Sequence, residues 1–168
     1  MTLSIYQASV PVFQRMLGNL ADILEKAERW TEDGAINGSD LLNARLAPDM
    51  HPLVRQVQIA TDSVKGCVAR LAGVEIPSFP DTESSLAELR QRLDRTQAFI
   101  ANFEPSQLDG SGDKAIVLKF PGVELKYSGQ DYLLNFVLPN FYFHVTTAYA
   151  ILRHKGLQIG KMDYLGRP

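Results

Sequence analysis

A single cysteine, Cys67, in 168 residues excludes an internal disulfide. Its neighbours in "SVKGCVARLAG" mark it as a small core residue rather than a reactive thiol. Three histidines, His51, His144 and His154, limit any imidazole-based chemistry. There is no excess of either charge: 17 Lys and Arg stand against 19 Asp and Glu, for a net charge of -2. Nothing in that balance draws the chain to nucleic acid or to an anionic lipid surface. The opening stretch "MTLSIYQASVPVFQRM" has no basic segment leading into an apolar one, so a cytoplasmic protein is expected. No Ser-His-acid grouping with motif context is present, and the glycines of "LDGSGDK" read as a connector rather than a phosphate loop. The one long stretch without charge, 132 to 152, is interrupted by Asn135, Asn140, His144, Thr146 and Thr147, each of which needs a partner in lipid. A buried central helix is expected there and no membrane partner.

Helical periodicity is what the chain has in quantity. Phe13, Leu17, Leu20, Leu24 and Ala27 recur at steps of three and four, giving a first helix with one apolar stripe. Pro11 is expected to kink or restart it, and "TEDGAINGSD" to end it. A second helix starts at "PDMHPL", carries Leu53, Val57, Ala60, Val64, Cys67 and Leu71, and stops at Gly73 and Pro77. A third follows "FPDTESSLAE", capped by Thr82 or by Ser85 with Glu88, and carries Leu86, Leu89, Leu93, Thr96, Ile100 and Phe103. "AIVLKFPGVELKY" changes rhythm to two short strand-like runs around Pro121 and Gly122, a small hairpin expected to lie on the helices or pair with another chain. The fourth helix runs from residues 128 to 130 toward Gly156, with a kink expected at Pro139. The expectation is all-α: one domain over residues 1–168, an antiparallel four-helix bundle with a β-hairpin between the third and fourth helices.

Polar residues on the fourth helix carry the chemical hint. His144 and His154 are ten residues apart, so they differ by about 80° in direction and ~15 Å along the axis, too far to share one ion. Around His144, Asn140 four residues before and Thr147 three after make a polar strip within an apolar helix. Such a strip is read as a hydrogen-bonded buried imidazole, with a small-molecule contact or metal ligation as the other readings. His154 in "LRHKG" suits the negative end of a helix dipole, and His51 an exposed helix start.

The stretches "NARLAPDMHPLVRQVQIATDSVKG" and "LPNFYFHVTTAYAILRHKGLQIGKMDYLG" resemble an uncharacterised family within the DinB/YfiT-like superfamily of metal-dependent four-helix-bundle enzymes, along nearly the whole chain. The resemblance implies metal ligands from one histidine of the second helix and a His-x-x-x-His pair of the last. "RHKGLQIG" resembles the end of that pair, which puts His154 in the last ligand position, Ala150 in its partner's and Gln56 near that of the second helix. Two of three ligands are then missing. A rearranged set of His144, Gln56 and Asp62 is the alternative metal site, with zinc or nickel as the metal; otherwise no cofactor is expected.

Three readings remain open. One is a metal-independent bundle holding a small molecule at His144, Asn140, Thr147 and Gln56. Another is the divalent-metal hydrolase or thiol-transferase that the superfamily implies. The last is a structural homodimer, suggested by the density of aromatics in "NFYFHVTTAY", where Tyr142, Phe143 and Tyr149 are many for one bundle interior.

Overall fold

Ser4 opens the first helix by accepting from the Gln7 amide, while the Gln7 side chain returns to the Ser4 amide. This reciprocal cap satisfies two donors that the first turn leaves unpaired. From there, in a computed structural model that describes residues 3–166, α1 runs Ile5–Glu32 straight through Pro11, which sits on the exposed face. The short α2 is Gly38–Leu42, and α3 is Leu53–Ala72. The helix α4, Leu86–Ala101, is capped by Ser85, which accepts from the Glu88 amide, and not by Thr82. Glu88 reaches one residue further back, to the Ser84 amide.

After α5, Pro105–Leu108, a 3-10 turn at Ser111–Asp113 leads into β1, Ala115–Phe120, paired antiparallel with β2, Val123–Ser128. Phe120 pairs with Val123 across Pro121 and Gly122, whose φ of 78° is the conformation glycine tolerates at that turn position. Ile116 and Leu118 face inward, while Val117, Phe120 and Val123 remain exposed. Ser128 then caps an unbroken helical run: α6 at Gly129–Asp131, a π-helical segment at Tyr132–Val137, and α7 at Leu138–Lys155. The π segment stands where a kink was expected. Pro139 has no N–H for the carbonyl four residues back, and its ring crowds that carbonyl, so the wider winding just ahead relieves both. The last helix, α8, is Lys161–Leu165.

The predominantly helical chain buries the predicted stripes. Phe13, Leu17, Leu20, Leu24 and Ala27 of α1 are all fully covered, as are Val57, Ala60, Val64 and Cys67 of α3. Helix α1 packs on α4, α3 on both α4 and α7, and α8 on α1. Burial pushes the Cys67 thiol far up, so it is a core residue and not a nucleophile. Of the three aromatics expected to overfill the interior, Tyr149 is partly buried and meets Tyr164 of α8 edge-to-face at 5.9 Å, whereas Tyr142 and Phe143 stay 36% and 55% exposed. Among the described residues no helix is long and apolar enough to cross a membrane.

Candidate functional site

Two turns of α7 meet α3 through polar side chains. Asn140 Nδ2 donates to Ser63 Oγ at 2.8 Å, and one turn on, His144 Nδ1 lies 2.7 Å from Gln56 Oε1. Gln56 Nε2 donates to the His51 carbonyl at 2.9 Å, which orients the amide and makes Oε1 the acceptor. His144 therefore carries its proton on Nδ1, leaving the lone pair on Nε2. Burial, followed by the charges of His51 and Arg55, lowers the His144 pKa to about 4, so the ring is neutral at physiological pH. Thr147 is buried too, but its hydroxyl donates to the Phe143 carbonyl of its own helix.

Among the described residues, the side chains gathered around His144 do not make up a transition-metal ligand set. His144 offers one nitrogen, and its neighbour Gln56 is an amide already engaged with both His144 and the His51 carbonyl. Asp62 is not brought to them as a ligand: it lies 2.9 Å from Arg92 and 3.0 Å from Lys65. His154 is exposed in the last turn of α7, beside the left-handed cap Gly156, and ten residues from the histidine that Gln56 contacts. The set of Gln56, Ala150 and His154 implied by resemblance is thus not assembled. Among the described residues no three His, Cys, Asp or Glu side chains converge as a metal set.

Next to this polar turn lies a cavity of about 330 Å³ between α3, the hairpin and the π segment. Asn140 and Ser63 form its polar wall, Tyr132 and Phe136 an aromatic one, and Leu118 and Phe120 cover it from the hairpin. Arg55, Asp62 and Arg70 add charge from α3. Tyr132 and Phe136 stack at 6.0 Å with 17° between their planes. Arg70 Nη1 donates to the Tyr132 hydroxyl at 3.0 Å, and burial pushes that hydroxyl up to about 12, so it stays neutral. His144, Gln56 and Thr147 do not line the cavity; Asn140 does. A larger hollow of about 530 Å³ beside α4, bounded by Glu88, Gln91, Asp94 and Arg95, is open polar surface away from α7.

Periodicity alone did not reveal Arg92, which is fully buried on α4. Four hydrogen bonds hold it: Nε donates to Thr61 at 2.7 Å, Nη1 to the Pro80 carbonyl at 3.2 Å and to Glu83 at 3.0 Å, and Nη2 to Asp62 at 2.9 Å, while Nη2 also forms an ion pair with Asp81 at 3.0 Å. Burial pushes the Glu83 carboxyl up, but hydrogen bonds from Gln58 and Arg92, with the guanidinium charge, carry it below its usual range. The network fastens the 73–85 connection to α3 and α4. The one signal in the sequence is a charge three residues after Leu89, on the apolar face of a helix.

Comparison with known proteins agrees with this frame. The model of a domain of unknown function, DUF1993, matches residues 5–165. A crystal structure of a DinB family member protein from Shewanella denitrificans is 41% identical, covers 98% of this chain and 93% of its own, and superposes with a TM-score of 0.87. No curated protein matches.

Proposed function

The chain belongs to the DUF1993 family, whose function is unknown, and from that premise we propose a metal-independent DinB-like bundle that holds a small molecule beside α7. In this reading α1, α3, α4 and α7 are the four helices of an antiparallel bundle, with the hairpin between the last two. The observation that carries it is the pair of hydrogen bonds joining α7 to α3, His144 to Gln56 and Asn140 to Ser63, with a mixed polar and aromatic cavity beside the second. Such a combination of apolar wall and few placed polar groups is what small-molecule sites use. Asn140 meets the ligand, while His144 and Gln56 hold the turn from behind. Thr147, its hydroxyl spent on its own helix, contributes packing.

The test is fluorescence titration with the neutral apolar dye N-phenylnaphthylamine. The wild type should bind it, and Ile59→Trp and Ser63→Phe, which fill the cavity from α3, should lose it while keeping their circular dichroism. Absent binding, or binding unchanged in both folded variants, contradicts the proposal. A homodimer is a second reading, supported by the adjacent exposed Tyr142 and Phe143.

A further inference from the structure

Taking the ligand-site reading as its premise, we infer that the cavity accepts an anion with a flat apolar body, an aromatic carboxylate or phosphate, whose charge is met by Arg70. Three charged side chains reach this cavity from α3, and two of them are already neutralised. Arg55 pairs with Asp81. Asp62 is compensated by Arg92 at 2.9 Å and Lys65 at 3.0 Å. Arg70 has no carboxylate partner among the described residues; its one side-chain hydrogen bond goes to the neutral Tyr132 hydroxyl. It is partly buried, so its unmatched charge is less well solvated than that of a surface arginine. A guanidinium carries five donors in a planar fork that fits a carboxylate or phosphate edge.

Two features of the chain hold Arg70 in this position. Gly66, one turn earlier on α3, is buried, and a Cβ there would lie 2.5 Å from Arg70 Nη1. The glycine is a poorer helix former than alanine, and it leaves its bare backbone beside the guanidinium. The π segment presents Tyr132 and Phe136 stacked together, with Tyr132 anchoring Arg70 through its hydroxyl. Single-turn π segments recur at functional sites because they redirect side chains that an α-helix would point elsewhere. A cavity of about 330 Å³ is at the small end for ligand sites and suits a molecule of one or two rings.

The test compares anilinonaphthalene sulfonate, an anionic dye, with the neutral N-phenylnaphthylamine of nearly the same shape. The wild type should prefer the anion by about tenfold, the worth of one charge-assisted hydrogen bond. Arg70→Gln should abolish that preference and leave the neutral dye within about twofold of its wild-type affinity. Gly66→Ala, which displaces the guanidinium without removing it, should weaken the preference while leaving the fold intact, and so separates charge placement from misfolding. Competition by naphthoate and by naphthyl phosphate then distinguishes carboxylate from phosphate ligands. If both dyes bind in the cavity but Arg70→Gln leaves the anion preference unchanged, or none exists, the inference is overturned and the ligand site stands. If the cavity-filling variants Ile59→Trp and Ser63→Phe displace neither dye, the ligand-site reading fails with it.

Discussion

His144 Nδ1 and Gln56 Oε1 face each other at 2.7 Å across the α3–α7 contact, and the Gln56 amide passes the chain on to the His51 carbonyl. An imidazole held this way is a structural donor. His144→Ala should therefore cost about 1–3 kcal/mol, the penalty of leaving a buried acceptor unpaired. His144→Gln, which can still donate to Gln56, should recover most of it in urea unfolding. Equal losses for the two variants would remove the hydrogen bond from the account.

The same residue sets a pH dependence. Its folded pKa, about 4, lies below the unfolded value of about 6.5, so between these the unfolded chain binds more protons and stability rises with pH. Up to about 3 kcal/mol should be lost as pH falls through that window. Glu83 acts in the same direction lower down: its depressed carboxyl stabilises the fold above its unfolded pKa, and that contribution disappears as pH drops through the folded one. His144→Gln should flatten the upper part of the curve and leave the lower. An unchanged profile in that variant would assign the upper part to another group.

Arg92 should be the least replaceable polar residue. Arg92→Met leaves Asp62, Asp81 and Glu83 facing each other without their common cation. Breaking a buried pair in this way costs about 3–5 kcal/mol. Urea unfolding measures the loss, and hydrogen exchange should show the 73–85 connection opening first. A loss below about 1 kcal/mol would mean that solvent replaces the guanidinium freely.

What was legible in the sequence and what was not follows from the physics of each part. The stripes Phe13 to Ala27 and Leu53 to Leu71 could be read because a helix buried on one face repeats its apolar residues with the helical period. The hairpin could be read because Pro121 and Gly122 are what its turn needs. Which turn of α7 faces Gln56 could not, since spacing along one helix does not fix its axial register against another. The "RHKG" stretch, which the resemblance put at a ligand position, also has the features of helix termination: three basic residues lie in the last turn, and Gly156 has φ 111°. The Arg92 network was hidden because its partners come from α3 and from an irregular connection, whose path no periodicity describes.

Gly129 tests the junction between the 3-10 turn and the helix that follows the hairpin. A Cβ there would lie 2.0 Å from the Ser111 carbonyl oxygen and 3.2 Å from a Leu71 methyl. The first of these is backbone and cannot swing aside, so Gly129→Ala should destabilise by about 1–3 kcal/mol. A gain in melting temperature, as helix propensity alone would give, would contradict this packing.

Self-association is checked by light scattering. If Phe143 and Tyr142 meet a second copy, the protein should run as a dimer at micromolar concentration, and the double substitution Tyr142→Ser, Phe143→Ser should make it a monomer that keeps its helical circular dichroism. A wild-type monomer would retire the dimer reading.

The central proposal, that this protein works without a metal, is tested most directly by elemental analysis of protein purified without chelator. One engaged amide and one imidazole should leave it with far less than one zinc or nickel per chain. A full equivalent of either metal, lost in His144→Ala, would contradict the account.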